Sequence, residues 1–214
     1  DQIQQGFDEE TEQQSITSLD FVWHSQLTAD LTSTLTIYNQ TLEDRIIQRE
    51  IAGIKSYGTI GDTKSTGFTY EVSGFINDHS IWANVSYTNA RYDGGAPEDL
   101  EPDSLRFDEN GDALAYPEWT ANLGSMFSWN DFQFSPSLHY RSETTNRLTS
   151  VNDSLTSQAE YISLPTTLQM DVNVQYQINK HLDVALFLNN LTNANKDVST
   201  SVFNGYTEQY GRFT

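Results

Sequence analysis

The sequence predicts an all-β fold: an antiparallel transmembrane β-barrel, present in part as about eight to nine strands with short periplasmic turns and long extracellular loops. Three observations carry this. Apolar and polar residues alternate with period two through eight segments, and helical periodicity is nearly absent. The connections between segments are alternately very short and long. Aromatic residues gather at segment ends.

A strand sends successive side chains to opposite faces, so alternation gives each segment one apolar wall and one wet wall. Segment 18–26 places Leu19, Phe21 and Trp23 on one side, and 31–41 places Leu31, Leu35 and Ile37. Segment 68–76 gives Phe68, Tyr70, Val72 and Ile76; 81–87 gives Ile81, Ala83, Val85 and Tyr87. Segment 119–129 follows with Trp119, Ala121, Leu123, Phe127 and Trp129, and 132–140 with Phe132, Phe134, Leu138 and Tyr140. The alternation is clearest in 168–178, where Leu168, Met170, Val172, Val174, Tyr176 and Ile178 oppose Gln169, Asp171, Asn173, Gln175 and Gln177. Segment 182–188 repeats it with Leu182, Val184, Leu186 and Leu188.

Polar dipeptides at Ala29-Asp30, Asn77-Asp78, Asn130-Asp131 and Asn179-Lys180 predict tight hairpin turns. Long polar connections fall between them, at about 44–63, 92–117, 143–165 and 193–208. Short turns on one side and long loops on the other are the pattern of a barrel that crosses a membrane. Trp82, Tyr87, Tyr92, Trp119, Trp129, Phe132, Tyr140 and Tyr161 are placed for interfacial girdles, where a ring keeps one edge wet.

Composition narrows the function. With 30 acidic and 11 basic side chains the 214-residue chain carries a net charge of −19, which repels nucleic-acid phosphates and excludes DNA or RNA as a partner. Aromatics at 12% argue against disorder. The absence of cysteine excludes disulfide scaffolds, thiol catalysis and Cys-type zinc sites. No apolar run is long enough for a membrane helix, which leaves barrel strands untouched as an option. The chain opens at Asp1 with no leader pattern and is expected to be processed or partial.

His24 and His139 fall on the polar faces of their segments, as do Asp20, Arg141, Asp171, Gln175 and Asn189; these seven are the candidate ligand contacts on the lumen wall. For each histidine the plain alternative is a hydrogen-bonded wall residue. His79 and His181 sit in turns. Residues 108–112 hold the acidic run Asp108-Glu109-Asn110-Gly111-Asp112. A calcium loop of the EF-hand type needs Gly at the sixth position and Glu at the twelfth, and this run offers neither. Asp108, Asn110 and Asp112 remain candidates for loose divalent-ion binding, which would bridge loop carboxylates to lipopolysaccharide phosphates. No cofactor is expected. No nucleophile-elbow or similar signature is present, so the chain is not expected to be an enzyme.

Several local patterns together resemble TonB-dependent receptors. Gly67-Phe68-Thr69-Tyr70-Glu71, after Tyr57-Gly58, is similar to the family's strand returning from an extracellular loop. Ala115-Tyr116-Pro117-Glu118-Trp119 resembles the approach to a descending strand. Residues 171–178 and 182–193, closing in Asn189-Asn190-Leu191-Thr192-Asn193, resemble the penultimate hairpin, and Tyr210-Gly211-Arg212-Phe213 the approach to the last strand, with Tyr where the family has Pro.

The resemblance implies an outer-membrane active-transport receptor of a Gram-negative bacterium that takes up a ferric siderophore, an oligosaccharide or a similar nutrient. Energy would come from the TonB-ExbB-ExbD complex acting through a plug domain. The family's barrels have 22 strands, so residues 1–214 are expected to form the C-terminal part of the barrel, without the plug. The remaining strands, the plug, membrane lipid, lipopolysaccharide and a small-molecule or oligosaccharide ligand are the expected partners. Two alternatives stay open: a passive porin or channel, which lacks an upstream plug, and a secreted soluble β-domain binding carbohydrate, which needs no detergent.

Overall fold

A computed structural model describes residues 6–7, 13–51, 54–93, 111–113, 116–148, 160–194, 196–199 and 206–209. It is built of strands: β1 (Gly6–Phe7), β2 (Ser15–Thr28), β3 (Leu31–Glu43), β4 (Arg45–Ile51), β5 (Ile54–Ile60), β6 (Asp62–Ile76), β7 (His79–Asp93), β8 (Trp119–Trp129), β9 (Phe132–Arg141), β10 (Thr144–Leu148), β11 (Glu160–Leu164), β12 (Thr167–Asn179), β13 (Leu182–Leu188), β14 (Lys196–Ser199) and β15 (Tyr206–Gln209). Eight of them form one antiparallel sheet in the order β13-β12-β9-β8-β7-β6-β3-β2. These are the eight segments predicted from alternation.

All four predicted hairpin turns form, each with two residues between strands, at the same end of the sheet. Asn77 and Asp78 both adopt positive φ, 47° and 67°, the backbone that matches the twist of the flanking strands in a two-residue turn. The last turn is Lys180-His181, one residue later than predicted. There the Asn179 side chain accepts a hydrogen bond from the His181 backbone N–H at 2.9 Å.

The long connections differ more from expectation. Three hold hairpins of their own: β4 with β5, β10 with β11, and β14 with β15, while β1 adds to β5 in parallel. β6 and β7 are also longer than predicted, reaching from Asp62 to Asp93. Strands clear of a bilayer need no apolar face, so their sequences carry no regular alternation to read. In the fourth connection the chain returns along β7. There Tyr92 N–H donates to Gly111 O (2.8 Å), Ala113 N–H to Ala90 O (3.0 Å) and Thr88 N–H to Glu118 O (2.9 Å).

Register joins the eight apolar faces into one surface. One row of partners runs Trp23, Leu35, Tyr70, Val85, Ala121, Tyr140 and Leu168; the next runs Ala83, Leu123, Leu138 and Met170. This surface does not face a protein core. Leu19 is 77% exposed, Leu123 52% and Leu186 55%, and among the described residues the one buried hydrophobic side chain is Leu164. A soluble protein hides such a surface; a membrane wall turns it to lipid.

Two aromatic clusters bound the apolar band. Toward the loops, Trp119 meets Tyr87 (4.8 Å between centroids) and Phe68 edge-on (5.8 Å). Toward the turns, Phe132 stacks on Tyr176 (4.4 Å) with Phe134 and Trp129 beside it. Trp119 and Trp129 are the two ends of β8. Ten residues at ~3.3 Å each, tilted by ~40°, span ~25 Å in height, which is the apolar band of an outer-membrane barrel.

Trp82 and Tyr92 are not in these girdles. Both lie on the polar side of β7, in phase with Asn84 and Ser86. Trp82 fits there because its partner across the strand pair is Gly124: a Cβ on that glycine would stand 2.4 Å from the indole. Tyr38 crosses Gly67 in the same way and reaches the Thr88 hydroxyl at 2.6 Å.

Candidate functional site

The other face of the sheet is polar, and the same register assembles it. One row runs His24, Thr34, Glu71, Asn84, Asn122, His139 and Gln169 across seven strands. Each residue was legible as polar-phase in its own segment. That they share one row follows only from strand pairing.

The row is hydrogen-bonded along much of its length. His24 Nδ1 lies 3.0 Å from Thr34 Oγ1. The Asn122 amide donates to Asn84 Oδ1 at 2.9 Å and turns its own oxygen to His139 Nδ1 at 2.8 Å. An amide oxygen only accepts, so His139 is the donor at Nδ1 and its Nε2 points elsewhere. Nε2 stands 3.8 Å from Asp171 Oδ2.

Asp171 is heavily engaged. Its carboxylate accepts from the Gln169 amide at 2.8 and 2.7 Å and from the Asn190 backbone N–H at 2.6 Å. Asn190 takes φ of +53°, a conformation Asn tolerates better than most residues, and is itself buried. Its side chain donates to Ala194 O (2.9 Å) and accepts from Ala194 N–H (2.8 Å). Thr192 closes the turn onto β12, donating to Leu168 O at 2.7 Å.

The seven candidate contacts thus separate. His139 and Asp171 come together at the β9–β12 pair, with Arg141 two residues along β9, opposite Thr167, and Gln175 farther down the same face, opposite Gln133. His24 shares the row with His139 but lies five strand spacings away, ~24 Å along the wall at ~4.8 Å each. The two histidines therefore cannot share a ligand atom. Asp20 sits near the loop end beside Tyr38, accepting from the Ser18 hydroxyl at 2.9 Å. Asn189 is exposed just past β13, whereas its neighbour Asn190 makes the contacts. Asn84, Asn122, Gln169 and Asn190 are the wall residues the sequence reading passed over.

A cleft of about 400 Å³ opens at the loop end between β6, β7 and the returning segment, lined by Thr63, Ser65, Thr88, Asn89, Tyr116 and Glu118 among others. Among the described residues, no lysine or arginine lines it. Of the metal candidates, Asp112 is held by Arg91, Nε to Oδ1 2.8 Å; Asp108 and Asn110 lie outside the described residues. No cluster of three or more metal-ligating side chains occurs among the described residues. Beyond the aromatic girdle, Lys64 and Asp93 form an ion pair. Hydrogen bonding and charge attraction raise the Lys64 ammonium above its ordinary value and hold the Asp93 carboxyl below its own.

The sequence matches the family described as TonB dependent receptor-like, beta-barrel over residues 9–191. No curated protein matches it. Among solved structures, the chain is similar to the ferripyoverdine receptor of the outer membrane of Pseudomonas aeruginosa (14% identity, TM-score 0.72), covering 92% of this chain and 26% of that one. The ferric-catecholate import receptor Fiu of Escherichia coli K12 gives 15% identity and TM-score 0.70 over 92% and 26%. The siderophore receptor PiuA of Acinetobacter baumannii gives 19% and 0.67 over 92% and 27%. The chain spans about a quarter of the length of these structures.

Proposed function

The chain belongs to the TonB-dependent receptor β-barrel family, and from that premise we propose that it forms part of the wall of an outer-membrane receptor that imports a nutrient in a Gram-negative bacterium. The observation that carries the proposal is the exposed, largely apolar face bounded by two aromatic clusters ~25 Å apart. A wall with one lipid face and one polar face encloses a wet lumen.

β2 and β13 are the edges of the described sheet. Lipid does not tolerate open strand edges, so we assign both to pairing with further strands of the same receptor. In this reading the chain is the C-terminal part of the barrel and the plug lies elsewhere in the receptor. TonB, through ExbB and ExbD, supplies the energy by moving that plug. The wall is passive and non-enzymatic: it keeps lipid out and offers polar contacts.

Asp20, His24, His139, Arg141, Asp171, Gln175 and Asn189 are the proposed ligand-facing positions. Of the neighbours named above, one is a ferripyoverdine receptor, one a ferric-catecholate import receptor and one a siderophore receptor, and a ferric siderophore is accordingly the first class to test. The net charge of −19, and a cleft whose described lining residues include no lysine or arginine, favour a neutral or cationic member of that class, or an oligosaccharide, over a polyanion. Divalent ions bridging the acidic loop to lipopolysaccharide remain part of the proposal.

Fractionation of the full-length receptor tests it, followed by gel mobility in detergent with and without boiling. Recovery in the outer membrane with a mobility shift on boiling is expected. Recovery as a detergent-free protein with no shift would overturn the receptor reading in favour of a soluble binding module.

A further inference from the structure

We propose that His139 and Asp171 form a proton-operated clasp that ties the lumen wall to the turn at 190–194. The contact between Asn122 and His139 places the imidazole proton on Nδ1. Neutral His139 therefore turns a lone pair on Nε2 toward the Asp171 carboxylate. Two acceptors do not bond, and the 3.8 Å between them is the gap of an unmade hydrogen bond.

Protonation reverses the relation. The imidazolium carries a second N–H, on Nε2, aimed at Asp171 Oδ2. A movement of about 1 Å brings it to the ~2.8 Å of a charge-assisted bond. Nδ1 keeps its bond to Asn122 in both states, so the ring is already oriented and needs no rotamer change. Asp171 transmits the result, because its other oxygen accepts the Asn190 backbone N–H at 2.6 Å. Pinning the carboxylate from a second side strengthens its hold on the turn where β13 passes into the outer connection.

Among the described residues, the charged groups on the strands packed against His139 are few. On β9 the same face carries Arg141, two residues away, which opposes the added charge; on β12 it carries Asp171. The face of β8 presents Thr120, Asn122, Gly124, Met126 and Ser128, none of which titrates. The clasp is closed while His139 holds its proton and Asp171 remains a carboxylate. It opens as pH rises and His139 becomes neutral.

The test is amide hydrogen exchange on the full-length receptor in lipid nanodiscs, read by mass spectrometry over the peptide containing Asn190. Rates are compared at about pH 8 and about pH 5, which bracket imidazole titration, after correction for intrinsic exchange. Protection at Asn190 is expected to rise about tenfold on acidification, the scale of one hydrogen bond to a charged group. It should stay flat in His139→Asn, which retains a polar side chain without a titrating ring. A wild type with no change, or a His139→Asn receptor that changes equally, overturns the proposal. Should His139→Asn fail the boiling test for a folded barrel, the ¹⁵N shifts of His139 in wild type decide alone. Nδ1 protonated throughout and Nε2 gaining its proton across the same transition supports the clasp; Nε2 protonated at pH 8 overturns it. These readouts do not depend on what the receptor imports.

Discussion

Substituting Leu123 by Arg tests the assignment of the two faces. Leu123 lies four residues along β8 from Trp119, ~13 Å at ~3.3 Å per residue. At a tilt of ~40° that is ~10 Å below the outer aromatic ring, within a few Å of the middle of a ~25 Å band. An Arg facing lipid at that depth costs about 2–4 kcal/mol, or a factor of ~30 to ~1,000 in the folding equilibrium. The control is Ser137→Arg on the adjacent strand, where Ser137 pairs with Gly124 and faces the polar side. At that position the side chain meets water and Asp171, and the expected cost is below about 1 kcal/mol. The assay is urea titration of the full-length receptor in lipid vesicles, with the folded fraction read from unboiled gel mobility. If the two substitutions destabilise equally, or if Leu123→Arg is tolerated within about 0.5 kcal/mol, the apolar face does not face lipid and the assignment fails.

Gly124→Val is expected to expel the Trp82 indole, since even its Cβ would stand 2.4 Å from the ring. Overpacking of this kind costs about 1–3 kcal/mol, and the accompanying change in Trp82 emission, isolated against Trp82→Phe, is the check. Asn190→Ala removes the side-chain bonds to Ala194 and leaves the Asp171 bond to the backbone. The turn should exchange its amides about tenfold faster, the worth of about one net hydrogen bond, with barrel mobility on gels unchanged. The Lys64–Asp93 pair should titrate outward. Asp93 is held below its ordinary 3.8, so its contribution is present above that pH and lost as pH falls through the lowered value. Lys64 is raised above 10.5, so its contribution is present below that and lost as pH rises through the raised value. NMR titration of both groups checks this, and Asp93→Asn should return Lys64 toward its ordinary value.

How far the sequence reached depends on where lipid imposes a rule. In 168–178, and in the seven other wall segments, one face must be apolar and the other wet, so alternation marks each strand and its phase. The turn at Asn77-Asp78 was legible because a two-residue hairpin needs a backbone that Asn and Asp supply, whereas the last turn, expected at Asn179-Lys180, forms one residue later. The rule lapses outside the membrane. Thr144–Leu148 and Lys196–Ser199 form strands whose sequences need satisfy no lipid face, and they read as loop. Trp82 was placed in a girdle on residue type, although its phase with Asn84 argued otherwise; what seats it is a glycine 42 positions away in the chain. The seven polar candidates were read as separate lumen residues, and phase alone gave no means of telling which of them would meet.

By itself, then, the sequence determined which phase of each wall strand faces lipid and which faces water, because a strand's two-residue period and the cost of a charge in hydrocarbon are local rules. Tertiary structure decided what the wet face contains. Register aligned His24, Glu71, Asn84, Asn122, His139 and Gln169 in one row, set His139 3.8 Å from Asp171, and gave the Asp171 carboxylate to Asn190 rather than Asn189. Those relations depend on which strand lies beside which and at what offset, a property of pairs that no single strand's periodicity contains.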